Sequence, residues 1–257
     1  SFQPSEFAKV SVVLFLTWQI ERSHKRTDGF WFMCRTMLTL LPIVGLVGSN
    51  NLSTAIIILG IGVILIFAAS PRYIQFAALG GAGIGFIAIF LAAEAIVWNV
   101  SRIWRRNRKN NEKGFQTIQG LYAIGSGGLF GRGIGNSIQK LGFVPEAQND
   151  MIFSIICEEM GLTGAIILIL IFALLLWRLC VISMNCQELS GAMIAAGIMG
   201  HLAIQVILNI AVVTNTIPNT GITLPFISYG GTSIVFLLGE MGLALNVSRQ
   251  KNNPPTR

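Results

Sequence analysis

The chain has 257 residues, of which 53% are hydrophobic and only 11% charged. A soluble domain carries about 25% charged residues, so a soluble globular enzyme and a disordered chain are both excluded and a membrane protein is indicated. The net charge of +7 is not a nucleic-acid signature, because the basic residues cluster beside apolar spans; no nucleic-acid partner is expected.

The sequence enters an apolar stretch directly from Ser1, without an initiator Met, a basic n-region or a cleavage site, and reads as an internal piece of a longer protein. A spanning helix needs about 20 mostly apolar residues. Seven candidates follow, at 6–20, 33–48, 52–69, 73–98, 160–180, 190–213 and 223–246. Apolar runs such as 165–177 do not alternate, which excludes a barrel and leaves helices. The expected fold class is all-α, a polytopic membrane helix bundle over 1–257 with one long loop at 99–159.

Pro4 and Ser5 give the first span a helix start. Its Glu6 and Lys9 share a face three residues apart, so they either neutralise each other or point a cation into a polar cavity. The second span is the weakest, with Arg35 near its start and Pro42 inside it. Ser70-Pro71-Arg72 separates the third from the fourth. Glu94 in the fourth and Glu240 in the seventh lie near span ends and are read as reaching the interface. His201 and Gln205 in the sixth span form an i, i+4 pair suited to an interhelical hydrogen bond. Basic residues divide almost evenly between the two sides, so the positive-inside rule leaves orientation open. The cysteines Cys34, Cys157, Cys180 and Cys186 form no CxxC pair, and with His24 and His201 far apart no zinc pattern emerges.

The 99–159 loop carries three features in succession. First, Arg102, Arg105, Arg106, Arg108, Lys109 and Lys113 place six of the eighteen basic residues within twelve positions. Arginine forks match phosphate oxygens, so this cluster suits a lipid pyrophosphate or, more plainly, an anionic-lipid anchor. Second, Gly125–Gly135 is glycine-rich and holds Arg132, but lacks the Walker and dinucleotide patterns; on its own it reads as a flexible re-entrant loop. Third, Asp150 precedes an apolar run. A desolvated carboxylate suits a general base, while an aspartate before a helix also suits an N-cap. Farther on, 215–233 packs Pro218, Pro225, Gly221, Gly230 and Gly231 around a span start. Such broken helix at membrane depth lines a cavity or is buried in protein, which marks Ser228, Gly230 and Gly231 as site candidates.

Together these residues resemble a known family. Gln3-Pro4-Ser5-Glu6-Phe7-Ala8-Lys9 is similar to its QPSE-x-x-K element. Gly125–Gly135 with Asn136-Ser137-Ile138-Gln139-Lys140 is similar to its glycine-rich GNS-x-QK loop. Pro145-Glu146-Ala147-Gln148-Asn149-Asp150 is similar to its PEA-H/Q-x-D motif, and Glu158-Glu159-Met160-Gly161 to its EE-L/M-G. Pro218–Ser233 is similar to P-x-T-G-x-x-LPF-x-SYGG-x-S. The family is the SEDS proteins (shape, elongation, division and sporulation) FtsW, RodA and SpoVE, and the Gly-Asn-Ser-Ile-Gln-Lys run resembles the FtsW/SpoVE branch more than RodA.

The resemblance implies a bacterial cytoplasmic-membrane protein of about ten spans, with this chain holding the last seven, the 99–159 loop extracytoplasmic and the C-terminus cytoplasmic. It implies an inverting peptidoglycan glycosyltransferase that polymerises lipid II and works with a class B penicillin-binding protein and other divisome proteins in cell division or sporulation. The family's essential loop aspartate falls on Asp150 and its intramembrane lysine on Lys9. Asp150 would be the general base for a sugar hydroxyl. Lys9 and some of Arg102, Arg105, Arg106 and Arg132 would stabilise the leaving undecaprenyl pyrophosphate, with Glu6, Lys140, Glu146 and Gln148 in the same substrate site. A divalent cation, Mg or Mn, is compatible with that leaving group, although no ligand set is visible. Two departures stand out. Asn51 replaces the acid of the family's QPDLGTA element, and Gln148 replaces a histidine, which removes a titrating group from the motif. A lipid II transporter (flippase) and a non-catalytic scaffold for the penicillin-binding protein are the competing functions.

Overall fold

Apolar runs bounded by turn residues become helices, since lipid leaves backbone groups no other partner. The structure, a computed structural model, describes residues 3–23, 30–49, 51–69, 112–141, 144 and 147–250. They form seven α-helices: α1 Pro4–Arg22, α2 Phe30–Gly48, α3 Leu52–Ala69, α4 Glu112–Gly127, α5 Ile152–Asn185, α6 Leu189–Val213 and α7 Gly231–Gln250, with a 3-10 turn at Gln139–Leu141. The expected span 73–98, the basic cluster with Arg102, Arg105 and Arg106, and Glu146 lie outside the described residues.

The molecule is an all-α polytopic membrane bundle. Four described helices are long and apolar enough to cross a bilayer, α3, α5, α6 and α7, and Cys34–Gly48 within α2 is a shorter apolar helix. Pro4 opens α1, where its missing N–H costs no hydrogen bond. Pro42 stays inside α2 rather than ending it. Asn51 caps α3, its Oδ1 accepting from the Thr54 N–H at 3.2 Å. The departure from the family's acidic residue therefore keeps the capping acceptor and drops only the charge.

Helix α6 is the centre, packed by α1, α3, α5 and α7. In lipid, helices associate through close packing rather than hydrophobic transfer, so small residues matter at crossings. A Cβ on Gly197 would come within 2.7 Å of Val13 Cγ1, and one on Gly200 within 2.8 Å of Ile64 Cδ1. Glycines one turn apart on α6 thus admit α1 and α3. One core cluster joins α1, α2, α3 and α6 around Leu16, Ile58 and Ile61, and another joins α5, α6 and α7 around Leu179, Ile198 and Leu202. Leu170, Ile171, Leu174 and Trp177 on α5 point outward and are exposed, as a lipid-facing surface requires.

Three boundaries differ from the sequence expectation. The 99–159 loop is not devoid of structure, since α4 lies within it. The fifth span was expected from 160, yet α5 begins at Ile152 and breaks at Gly161, where φ is 67° and ψ −165°. The expected span corresponds to the segment beyond that break. The seventh was expected from 223, but the chain stays irregular through Gly230, past Pro225, and α7 starts at Gly231.

The break in α5 explains the glycine-rich loop. A continuous helix would bond the Leu162 and Thr163 N–H groups to the Glu158 and Glu159 carbonyls. Instead Arg132 N–H donates to Glu158 O at 3.0 Å and Gly133 N–H to Glu159 O at 2.9 Å. Leu162 N–H donates to Gly128 O at 2.9 Å and Thr163 N–H to Leu129 O at 3.1 Å. The loop is spliced into the broken helix and satisfies its four orphaned groups. It is a docked segment, not the flexible one its composition suggested. Only glycine fits the crossing: a Cβ on Gly161 would collide with Gly131 N and Leu129 O.

Candidate functional site

Two polar clusters meet on one stripe of α6. His201, Gln205 and Asn209 follow at i, i+4 and i+8, and all are buried, so they share a face. The upper cluster surrounds Asp150. This residue lies in the turn before α5, whose N-cap is Met151; the capping role considered for Asp150 is not the one it has. Asp150 is buried, and its Oδ1 accepts from Gln116 Nε2 of α4 at 3.3 Å. Asn219 Nδ2 in turn donates to Gln116 Oε1 at 2.9 Å. Asn209 Nδ2 donates to the Asp150 carbonyl at 2.9 Å and the Ile222 carbonyl at 2.6 Å. Thus α4, α6 and the 214–230 segment all hold the turn that carries the carboxylate.

The candidates from the broken helix support the same turn. Ser228 Oγ accepts from Leu224 N–H at 2.7 Å and donates to the Asn149 carbonyl at 2.6 Å. Tyr229 N–H donates to the Gln148 carbonyl at 2.8 Å; the Gln148 side chain is exposed. Gly230 sits beside Ser233, and Gly231 opens α7 with free space around it. A small recess opens here, lined by Thr223, Phe226, Ser228, Gly230 and Ser233 among others.

The lower cluster joins α1, α6 and α7. Lys9 Nζ lies 2.8 Å from Glu6 Oε1 and donates to Gln205 Oε1 at 3.0 Å. The neutralising contact between Lys9 and Glu6 is present, and the ammonium also reaches the buried Gln205 amide. Gln205 Nε2 donates to the Thr223 carbonyl at 3.0 Å. His201 Nε2 is 2.8 Å from Gln205 Oε1, and His201 Nδ1 is 2.9 Å from Glu240 Oε2. The interhelical hydrogen bonds expected of His201 and Gln205 are present, from His201 to Glu240 of α7 and from Lys9 of α1 to Gln205. Glu240, by contrast, does not reach the interface: it is 1% exposed and paired with His201. Gln205 and Asn209 hold adjacent carbonyls, Thr223 and Ile222, so α6 links the lysine to the aspartate turn.

The basic candidates of the glycine-rich loop have acidic partners on α5. Arg132 Nη1 is 3.4 Å from Glu158 Oε1, with its side chain 39% exposed. Lys140 Nζ donates to Glu159 Oε1 and to Gly135 O, both at 2.7 Å. Glu158 is fully buried and also accepts from Ser137 Oγ at 2.5 Å, Ile138 N–H at 3.2 Å and Gln139 N–H at 3.3 Å. It anchors the loop that docks into α5. Among the described residues no three His, Cys, Asp or Glu side chains converge to hold a metal ion, so they offer a divalent cation no protein ligand set. Sequence reading missed Gln116, Asn209 and Asn219. Asn209 was accessible to it, as a lone amide in an apolar span in phase with His201 and Gln205.

The chain as a whole has counterparts among known proteins. A family profile described as cell cycle protein, that of FtsW, RodA and SpoVE, matches residues 1–253. The chain is 40% identical to stage V sporulation protein E of Bacillus subtilis, over 97% of this chain and 69% of that protein. It is 34% identical to a probable peptidoglycan glycosyltransferase FtsW of Trichlorobacter lovleyi, over 96% of this chain and 66% of the relative. The crystal structure of the rod shape determining protein RodA of Thermus thermophilus superimposes with a TM-score of 0.66 at 28% identity, covering 97% of this chain and 66% of that one. A structure of a peptidoglycan synthase complex, described as coordinating polymerization and crosslinking, matches with a TM-score of 0.70 at 28% identity, over 98% of this chain and 71% of the other. The chain spans about two thirds of the length of these curated relatives. With motifs, fold and sequence in agreement, the chain belongs to the FtsW/RodA/SpoVE family of multi-pass membrane proteins.

Proposed function

We propose that the chain is the Asp150-bearing part of a peptidoglycan glycosyltransferase that polymerises lipid II at the outer face of the bacterial cytoplasmic membrane, in division or sporulation. The supporting observation is the held carboxylate: Asp150 is buried, accepts from Gln116, and has its backbone tied to Asn209. A general base needs such fixed placement within hydrogen-bond reach of the hydroxyl it deprotonates. Asp150 takes the proton from the acceptor sugar's 4-hydroxyl as that oxygen attacks the anomeric carbon of a second lipid II. The C–O bond to undecaprenyl pyrophosphate breaks and the configuration inverts. One base and a good leaving group suffice, without the second carboxylate of a glycoside hydrolase.

The leaving pyrophosphate needs cations. Lys9 is the buried one, and Arg132 the loop one, its contact to Glu158 being long and its side chain partly open. Arg102, Arg105 and Arg106 join them in this reading, with Glu6, Lys140, Glu146, Gln148, Ser228, Gly230 and Gly231 shaping the substrate site. In this topology the 99–159 loop is extracytoplasmic and the C-terminus cytoplasmic. The partner is a class B penicillin-binding protein, in keeping with the synthase complex that the fold resembles, together with other divisome proteins. The test uses the full-length protein with that partner and purified lipid II, wild type against Asp150→Ala. Glycan made only by the wild type supports the reading. Translocation of lipid II in vesicles without polymerisation supports a transporter instead, and recruitment of the partner with neither activity supports a scaffold.

A further inference from the structure

The buried chain Lys9–Gln205–His201–Glu240 has donors and acceptors that can be counted. An ammonium only donates, so the Gln205 atom facing Lys9 is its carbonyl oxygen. The other end of the amide agrees, since Nε2 faces the Thr223 carbonyl at 3.0 Å. Gln205 Oε1 therefore accepts from His201 as well, and His201 Nε2 carries a hydrogen. His201 Nδ1 faces both Glu240 oxygens, at 2.9 and 3.0 Å. A neutral imidazole protonated on Nε2 has a lone pair at Nδ1, which would oppose the carboxylate lone pairs. One added proton removes the conflict, either on the ring or on the carboxyl, and the pair is then net neutral in both forms. That suits two groups that are each about 1% exposed.

We infer that His201 and Glu240 are positioning residues that hold one shared proton, and that this proton locks Gln205 with its carbonyl on Lys9 and its amide on Thr223. The inference rests on the polymerase reading for its effect on rate, because it acts through the cation placed at the leaving pyrophosphate. The charged groups facing His201 are Glu240 from α7 and, beyond Gln205, Lys9 and Glu6 from α1. Helix α3 packs on α6 without a titratable side chain, and Glu158 of α5 is committed to the glycine-rich loop. Loss of the proton leaves either Nδ1 opposed to Glu240 or, after a tautomer change, Nε2 opposed to Gln205. In the second case Gln205 is released, and Lys9 keeps only Glu6.

Glu240→Gln separates this from a purely structural role. Its amide can donate to Nδ1 of a neutral His201, leaving Nε2–H on Gln205, so the lock persists with no proton to lose. The experiment measures polymerisation of lipid II by the full-length protein with its partner, and melting in detergent. Expected is a smaller loss of kcat, and a smaller fall in melting temperature, in Glu240→Gln than in Glu240→Leu. His201→Leu lowers kcat on the order of 10- to 100-fold, as misplaced groups do, with KM changed less. The proposal is overturned if Glu240→Gln loses as much activity and melts as low as Glu240→Leu. Should the wild type make no glycan at all, the polymerase reading fails, while the melting comparison still judges the proton.

Discussion

Asn209→Ala removes the side chain that ties α6 to the aspartate turn, and the structure sets the size of the effect. Two buried carbonyls, of Asp150 and Ile222, lose the donor that reaches them at 2.9 and 2.6 Å. Each orphaned group costs about 1–3 kcal/mol. Among the described residues the buried Asn209 Oδ1 has no hydrogen-bond partner, so its removal returns about 1–3 kcal/mol. The net destabilisation is then about 1–3 kcal/mol, which a protein stable by about 5–15 kcal/mol survives folded. Catalysis suffers more, because a displacement of about 1 Å at a reacting group costs about 100-fold in rate. Detergent melting and lipid II polymerisation, measured on the same preparation of full-length protein, report the two effects separately. A modest fall in melting temperature with a large fall in rate is expected. Wild-type polymerisation by Asn209→Ala would refute the claim that this amide positions Asp150.

Two further predictions concern the loop spliced into α5. Gly161→Ala places a side chain where φ is 67° and ψ −165°, a region that costs other residues about 1–3 kcal/mol, and drives a Cβ into the Gly131 backbone. It should undock the glycine-rich loop, read as faster proteolysis of that loop and a lower melting temperature; unchanged protease resistance would count against the splice. Glu158→Gln turns a fully buried acceptor of three donors toward them with an amide, and should cost about 2 kcal/mol or more. Lys140→Ala removes a partly exposed ion pair and should cost less than about 1 kcal/mol. Melting temperatures of the two variants in reverse order would contradict the division of roles.

How much of this was legible in the sequence depended on the range of the interaction. Apolar runs announce helices locally, and the expected spans at 6–20, 33–48, 52–69 and 190–213 each fall within a helix. The helix Glu112–Gly127 was not announced, because its mixed polar and apolar residues sit next to the basic cluster and carry no long apolar run. The break at Gly161 could not be seen either, since the donors and acceptors that replace its helical bonds come from about thirty residues upstream. Asp150 was found through its motif and its place before a span. Gln116, which holds its carboxylate, lies 34 residues away with no pattern to join them. Glu240 was misplaced at the interface for the same reason: its partner His201 is 39 residues distant, and only the packing of α6 on α7 brings the two into register.

Asp150→Asn tests the central claim most directly. Asparagine keeps the size, an oxygen to accept from Gln116 and the backbone carbonyl held by Asn209, while it loses the ability to take a proton. Full-length protein and the proposed penicillin-binding partner are assayed for glycan formation from lipid II, with melting and partner binding measured alongside. The account predicts that glycan synthesis is abolished while melting temperature and partner binding stay near those of the wild type. Undiminished polymerisation by a folded, partner-bound Asp150→Asn protein would contradict it.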